Sequence, residues 1–205
     1  MRIISPYVEL LEEIDGEAVL ARLERIGRVC YKSEGRIAPG TAEKFIAGII
    51  KRGHESVIEH EKVTMRMVCD RGVTHELVRH RLASYSQEST RYCNYSQDKF
   101  GAELTFIRPL FWEEGSEAFE VWREAMQRVE ADYMRLLDLG ASPQEARSIL
   151  PNSLKTEIVV TMDLREWRHF LRLRTAPAAH PQMREVALMA LELLRSKLPV
   201  VFDDI

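Results

Sequence analysis

Apolar and polar positions follow two rhythms along this chain. Residues 17–32 (EAVLARLERIGRVCYK) place Val19, Leu20, Leu23, Ile26 and Cys30 at helical spacing, which predicts a helix with Cys30 on its apolar stripe. Thr41 opens TAEKF and suits an N-cap, with a helix running to about Gly53. Residues 62–69 (KVTMRMVC) alternate as a half-buried strand does, which puts Cys69 in the core. A short helix is expected over 72–81, whereas 82–100 (LASYSQESTRYCNYSQDKF) has no clear core face. Then come a strand over 103–108 and a long helix over 114–139 closed by Gly140. Ser142, Pro143 and Glu145 form the N-cap, first-turn proline and third-position acid of a short helix carrying Arg147. A strand over 154–163 leads to Asp163, which caps a helix from Leu164 to about Leu173, and a last helix runs from about Pro181 to Leu198.

On the 164–173 helix, Leu164, Trp167, Phe170 and Leu171 form the stripe expected to be buried. Arg165, His169 and Arg172 share another side, and Arg168 is expected on an exposed cationic face. Several helices around few strands, without βαβ alternation, predict an α+β fold. We expect a single domain over 1–205 with a small, mostly antiparallel sheet flanked by helices.

Length agrees, since 205 residues match about one domain. No apolar run approaches the ~20 residues of a membrane helix, and the acidic turn after residue 10 is unlike a signal peptide. Three widely spaced cysteines give neither a disulfide framework nor a metal knuckle. A soluble protein of a reducing, cytoplasmic compartment is expected.

Net charge is only −3, which argues against a general polyanion-binding surface. Within it, arginine supplies 22 of 29 basic residues, and 164–184 hold five arginines against one glutamate. Arginine is the residue of planar forks for phosphate and carboxylate, so a specific anionic ligand is indicated.

The densest chemistry is Arg79-His80-Arg81 followed by LASYSQESTRY, with three arginines, one histidine, three serines and two tyrosines in fourteen residues. It suits a phosphate joined to a polar heterocycle, and equally a helix C-terminus followed by a solvated loop. His75-Glu76 with His80 reads HExxxH, which sets the histidines about 140° apart on a helix and disfavours a zinc pair. His60 and Glu59 fit an ordinary hydrogen-bonded pair. No GxSxG elbow or phosphate-loop motif occurs. Cys93 lies beside the basic loop and is the one suspect thiol. A nucleic-acid-binding module, with arginines on phosphates and tyrosines on bases, and a metal-dependent hydrolase compete with an enzyme of nucleotides.

The run RHRLASYSQESTRY, with GHESVIEH at 53–60, ARSILP at 146–151 and DLREWRHFLRLR at 163–174, resembles the flavin-dependent thymidylate synthases. The four blocks stand in family order over most of the chain. The resemblance implies methylation of dUMP to dTMP, with carbon from 5,10-methylenetetrahydrofolate and electrons from NADPH through FAD. It also implies a homotetramer with sites shared between subunits, and no metal, nucleic acid or membrane partner. Carried over by position, Ser56, Arg79, His80, Arg81, Gln87, Asp163, Leu164, Arg165 and His169 contact FAD. Glu76, Leu77, Val78, Arg79, Gln87, Glu88, Ser89, Thr90, Arg91, Arg147 and Arg174 contact dUMP, with Arg174 ionising the pyrimidine. Ser56 replaces a common threonine, Gln87 a glutamate of some members, Asp163 a frequent asparagine and His169 an asparagine of some members.

Overall fold

Alternating burial and well-formed caps account for most of the elements. The computed structural model describes residues 1–205, all but the side chain of Lys99. In chain order these are β1 (Arg2–Ile4), β2 (Tyr7–Leu10), α1 (Gly16–Val29), α2 (Thr41–Lys51), β3 (Lys62–Asp70), α3 (Arg71–Leu77), β4 (Ala83–Gln87), β5 (Thr105–Ile107), α4 (Glu117–Asp138), α5 (Pro143–Ala146), β6 (Lys155–Asp163), α6 (Leu164–Arg174), α7 (Pro181–Lys197) and α8 (Pro199–Phe202). Strands β2-β3-β6-β4 form a four-stranded antiparallel sheet in that order, and β1 pairs with β5 in parallel. The fold is therefore α+β, as the periodicity predicts.

The chain divides into two compact units. The first comprises 1–7, 67–79 and 86–158. Its core gathers Leu104, Phe106, Phe119, Trp122, Met126, Tyr133 and Leu154, with Cys93 packed half-buried against it. The long helix α4 ends at Gly140, whose φ of +93° is the left-handed geometry that glycine adopts without steric cost. Glu145 accepts hydrogen bonds from the Ser142 N–H (2.8 Å) and hydroxyl (2.6 Å), fixing the start of α5 as expected.

The second unit comprises 8–66, 80–85 and 159–205. Here α1, α2, α6 and α7 bury Leu23, Ile46, Ile49, Trp167, Phe170, Leu171, Val186 and Leu194. The Trp167 indole donates to the Val63 carbonyl (3.0 Å). Thr64 and Thr161 join their hydroxyls at 2.9 Å, linking β3 to β6.

Several expectations are corrected. Cys30 lies at the C-cap of α1 and is exposed, because the apolar stripe ends a turn earlier. Gly40, not Thr41, caps α2; the Thr41 hydroxyl instead donates to the Ala38 carbonyl (2.8 Å). Helix α3 stops at Leu77, so Arg79 to Arg81 lie beyond it. The stretch without a core face contains β4, whose alternation is half-buried against exposed rather than apolar against polar. Arg168 is wholly buried. Its guanidinium holds Asp204 through two bonds of 2.6 and 2.7 Å, reaches Glu55 at 3.3 Å, and donates to the Val201 carbonyl. Two carboxylates and a carbonyl make burial of that charge tolerable.

Candidate functional site

The residues assigned to the nucleotide fall in the first unit, with the exception of Arg174. Asp70 caps α3 by accepting from the Val73 N–H (2.8 Å), and the helix carries Glu76 in its last turn. Leu77 is buried outright, so its side chain belongs to the core, whereas Val78 and Arg79 are exposed.

Gln87 ends β4, where its amide donates to the hydroxyls of Thr74 (3.0 Å) and Thr156 (3.2 Å). The Thr74 hydroxyl already gives its hydrogen to the Arg71 carbonyl (2.9 Å), so it can only accept from Gln87. An amide meets that need; an ionised glutamate does not. The substitution at 87 is thereby matched to its surroundings.

Glu88 is turned inward. Its carboxylate accepts from the Tyr95 hydroxyl (2.6 Å) and from Lys155 (2.9 Å), and Lys155 also holds Glu157 (2.6 Å). Burial alone lowers the Lys155 pKa, but its bonds to Glu157 and Glu88 outweigh that and raise it. Burial and the Glu88 bond push the Tyr95 hydroxyl far above its ordinary range. The Glu88 N–H donates to the Glu157 carbonyl (2.8 Å), so main chain and side chain are anchored together.

The loop that follows turns at Ser89, whose carbonyl accepts from Tyr92 (3.1 Å) and Cys93 (2.9 Å). Thr90 is buried beneath it. Arg91 donates to the neutral amide of Gln144 (3.2 Å) and lies over the Tyr92 ring. Arg147 follows α5 and is exposed.

The residues assigned to flavin fall in the second unit, except Arg79 and Gln87. Ser56 and Arg81 are exposed. Asp163 caps α6, accepting from the Glu166 N–H (2.8 Å), as its position predicts. Leu164 is fully buried and its N–H donates to the Glu61 carbonyl (2.9 Å). Arg165 pairs with Glu59, so the expected Glu59–His60 pair is replaced by a contact between distant segments. A cavity of about 620 Å3 is lined by His60, Leu82, Ala83, Ser84, Thr161 and Asp163, among others.

His80 is the centre of a chain of contacts. Its ring packs edge-on against Phe170, 5.0 Å between centroids, and the Tyr85 hydroxyl donates to its carbonyl (2.7 Å). Arg174 Nε donates to His80 Nε2 at 3.1 Å, and Glu166 Oε1 faces His80 Nδ1 at 3.4 Å. Burial, then the charges of Arg174 and His169, lower the His80 pKa to about 4. The imidazole is neutral at pH 7, with its proton on Nδ1 because Nε2 is accepting. Burial raises the Glu166 carboxyl. His80, Glu166 and His169 bring ligand-type atoms within 4.8 Å of one another. His80 Nε2 is taken up by Arg174, however, which leaves Nδ1 facing the Glu166 carboxylate and the set short of one ligand nitrogen.

Sequence reasoning missed Glu166, Lys155, Thr74 and Thr156. The one legible signal was Glu166 as the lone acid among the four arginines of 164–174. The other three are specified by partners 13 to 69 residues away.

Arginine pairing tests whether the donors suit FAD and a nucleotide. Arg22, Arg28, Arg66, Arg123, Arg165, Arg168 and Arg172 are matched to carboxylates. Among the described residues, Arg79, Arg81 and Arg147 form no ion pair, and Arg91 is held by an amide. Arg174 is bonded to a neutral imidazole. The guanidinium groups of Arg79, Arg81 and Arg147, unpaired among the described residues, fit a monophosphate and a pyrophosphate.

A family described as thymidylate synthase complementing protein matches residues 9–200. A flavin-dependent thymidylate synthase of Pyrococcus furiosus is 40% identical over 180 residues, 87% of this chain and 71% of its own length. That of Thermococcus kodakarensis is 40% identical over 159 residues, 77% of this chain and 64% of its own. That of Mycolicibacterium gilvum is 36% identical over 214 residues, 97% of this chain and 84% of its own. The crystal structure of a UMP/dUMP methylase, PolB from Streptomyces cacaoi, bound with 5-Br UMP, is 23% identical. It covers 99% of this chain and 95% of its own with a TM-score of 0.79, which shows the same fold.

Proposed function

The chain belongs to the family of flavin-dependent thymidylate synthases, and on that premise we propose that it methylates dUMP to dTMP. In this reading 5,10-methylenetetrahydrofolate gives the carbon and NADPH gives the electrons through FAD. When bound, FAD supplies the hydride that reduces the transferred carbon. Residues 1–205 act as one catalytic domain of a cytoplasmic homotetramer whose sites are shared between subunits. Among the described residues, no helix is long and apolar enough to cross a membrane.

The chain's own residues then bind, orient and polarise. Arg79, Arg91 and Arg147 take the nucleotide phosphate, and Ser89 donates a hydrogen bond to the nucleotide. Arg79, Arg81 and Arg165 take the flavin's pyrophosphate, with Ser56, His80, Gln87, Asp163, Leu164 and His169 as its further contacts. Arg174 stabilises negative charge developing on the N3–C4–O4 edge of uracil, which makes C5 nucleophilic. A guanidinium held by a neutral histidine keeps its full charge for that task. The carrying observation is that Arg79, Arg81, Arg91 and Arg147 occupy family positions and pair with no carboxylate among the described residues, while Arg174, at its own family position, bonds to His80.

Stopped-flow measurement of the two half-reactions tests this. Arg174→Ala should slow dUMP-dependent oxidation of the reduced enzyme far more than NADPH-dependent flavin reduction. Equal loss in both would remove the role given to Arg174. A colourless protein that takes up no added FAD would overturn the whole reading.

A further inference from the structure

Glu166 is buried on α6, where its carboxylate faces His80 Nδ1 and lies within 4.8 Å of His169, and the reading above gives it no role of its own. Its neighbours explain why a carboxyl is there. The backbone of the helix start is fixed by Asp163, whose oxygen accepts the Glu166 N–H, so the side chain leaves α6 from a rigid point. The ring it meets is equally confined, by Phe170 at 5.0 Å and by the bond from Tyr85 to the His80 carbonyl. A neutral histidine so held has two tautomers, and only one can accept from Arg174. With the proton on Nε2, two N–H donors would oppose each other across the 3.1 Å contact between His80 and Arg174.

We propose that Glu166 is a positioning residue for Arg174. Its carboxylate faces His80 Nδ1, holds the proton there, and so keeps Nε2 as the acceptor that fixes Arg174 Nε. The Arg174 Nε–H is spent on His80, which fixes that edge of the guanidinium. The tautomer is set inside this chain; its bearing on catalysis rests on the reading of Arg174 as the group that polarises uracil. Nothing is transferred in the resting protein: the proton stays on Nδ1 and the carboxylate accepts a hydrogen bond.

The experiment is 15N-histidine labelling with solid-state NMR, which reports the protonated ring nitrogen directly and needs neither flavin nor substrate. In the unmodified protein, His80 should show protonated Nδ1 and unprotonated Nε2 at pH 7. A protonated Nε2 would overturn the proposal whatever any variant does. Glu166→Gln keeps an acceptor oxygen and should keep the tautomer, with dUMP affinity within about threefold. Glu166→Leu removes the acceptor and should shift the tautomer, weakening dUMP at least about tenfold, the worth of one lost oriented hydrogen bond. A purely packing role predicts that Gln and Leu variants behave alike in tautomer and affinity, which would refute the assignment. A tautomer shift without loss of dUMP affinity would also refute it. Failure of the unmodified protein to bind dUMP at all would instead strike the functional reading and leave the tautomer result standing.

Discussion

Two segments look alike in sequence, 79–92 and 163–174: both are short, arginine-rich and carry histidine. Their charges have different fates. In α6, Arg165 meets Glu59, and Arg168 and Arg172 share Glu55 and Asp204. Three of the four arginines of that helix are thus matched by acids elsewhere in the chain, and Arg174 bonds to His80. In the loop segment, Arg79 and Arg81 meet no carboxylate among the described residues, and Arg91 meets only an amide and a ring. Density of arginine is therefore a poor guide to ligand binding. What separates Arg168, spent on acids of its own chain, from Arg79 and Arg81 is whether the fold supplies the countercharge.

That contrast can be broken most directly at Arg168. Arg168→Met should cost about 3 kcal/mol of stability, since Glu55 and Asp204 lose their common partner and a buried carbonyl its donor. Arg147→Met, on the exposed side, should change stability by less than about 0.5 kcal/mol while abolishing tight dUMP binding. Urea unfolding and dUMP titration measure both. Comparable destabilisation by the two substitutions would erase the distinction.

Next in size is the pH dependence at His80. Its folded pKa of about 4 lies below the ordinary 6.5. The unfolded chain therefore takes up a proton first on acidification. This contribution to stability is full above pH 6.5, falls as pH drops toward 4, and is constant below. The total is about 3 kcal/mol. Glu166, with a raised pKa, acts with opposite sign above its ordinary value and blunts the loss. Urea midpoints between pH 4 and 7 should show a flatter profile for His80→Gln than for the unmodified protein.

The smallest effect is expected at Arg165. Its pair with Glu59 is half-exposed, so Arg165→Ala should cost under about 1 kcal/mol. FAD content, read by absorbance, should fall nonetheless. Unchanged flavin with lowered stability would place Arg165 with Arg168 rather than with the ligand-binding arginines.

Local rules made much of this legible. The apolar stripe of α6, the Asp163 and Ser142 caps and the Gly140 stop were readable because each depends on neighbours within a turn. Arg168 was not, since Asp204 lies 36 residues away and Glu55 113. Cys30 was misplaced because a periodic pattern does not say where a helix stops being covered. Strand β4 was invisible because its residues, Ala-Ser-Tyr-Ser-Gln, alternate in exposure without alternating in hydrophobicity. The candidate site was recognisable through family motifs, but the tautomer-setting Glu166 was legible only as a unit of charge.

The link between β3 and β6 has a kinetic consequence. Thr64 and Thr161 meet across 97 residues, and the second unit draws on segments from 8 to 205. Closing a flexible loop of that length costs about 4 kcal/mol before the contact returns anything. Folding should therefore be governed by search rather than by local helix formation, in the slow range of high-contact-order proteins. On a ribosome, α1 and α2 emerge together and pack on each other long before α8, which packs on α2, is made. The nascent chain must wait for residues past 160 with an apolar surface uncovered, a period in which a chaperone that shields such surfaces would raise the yield.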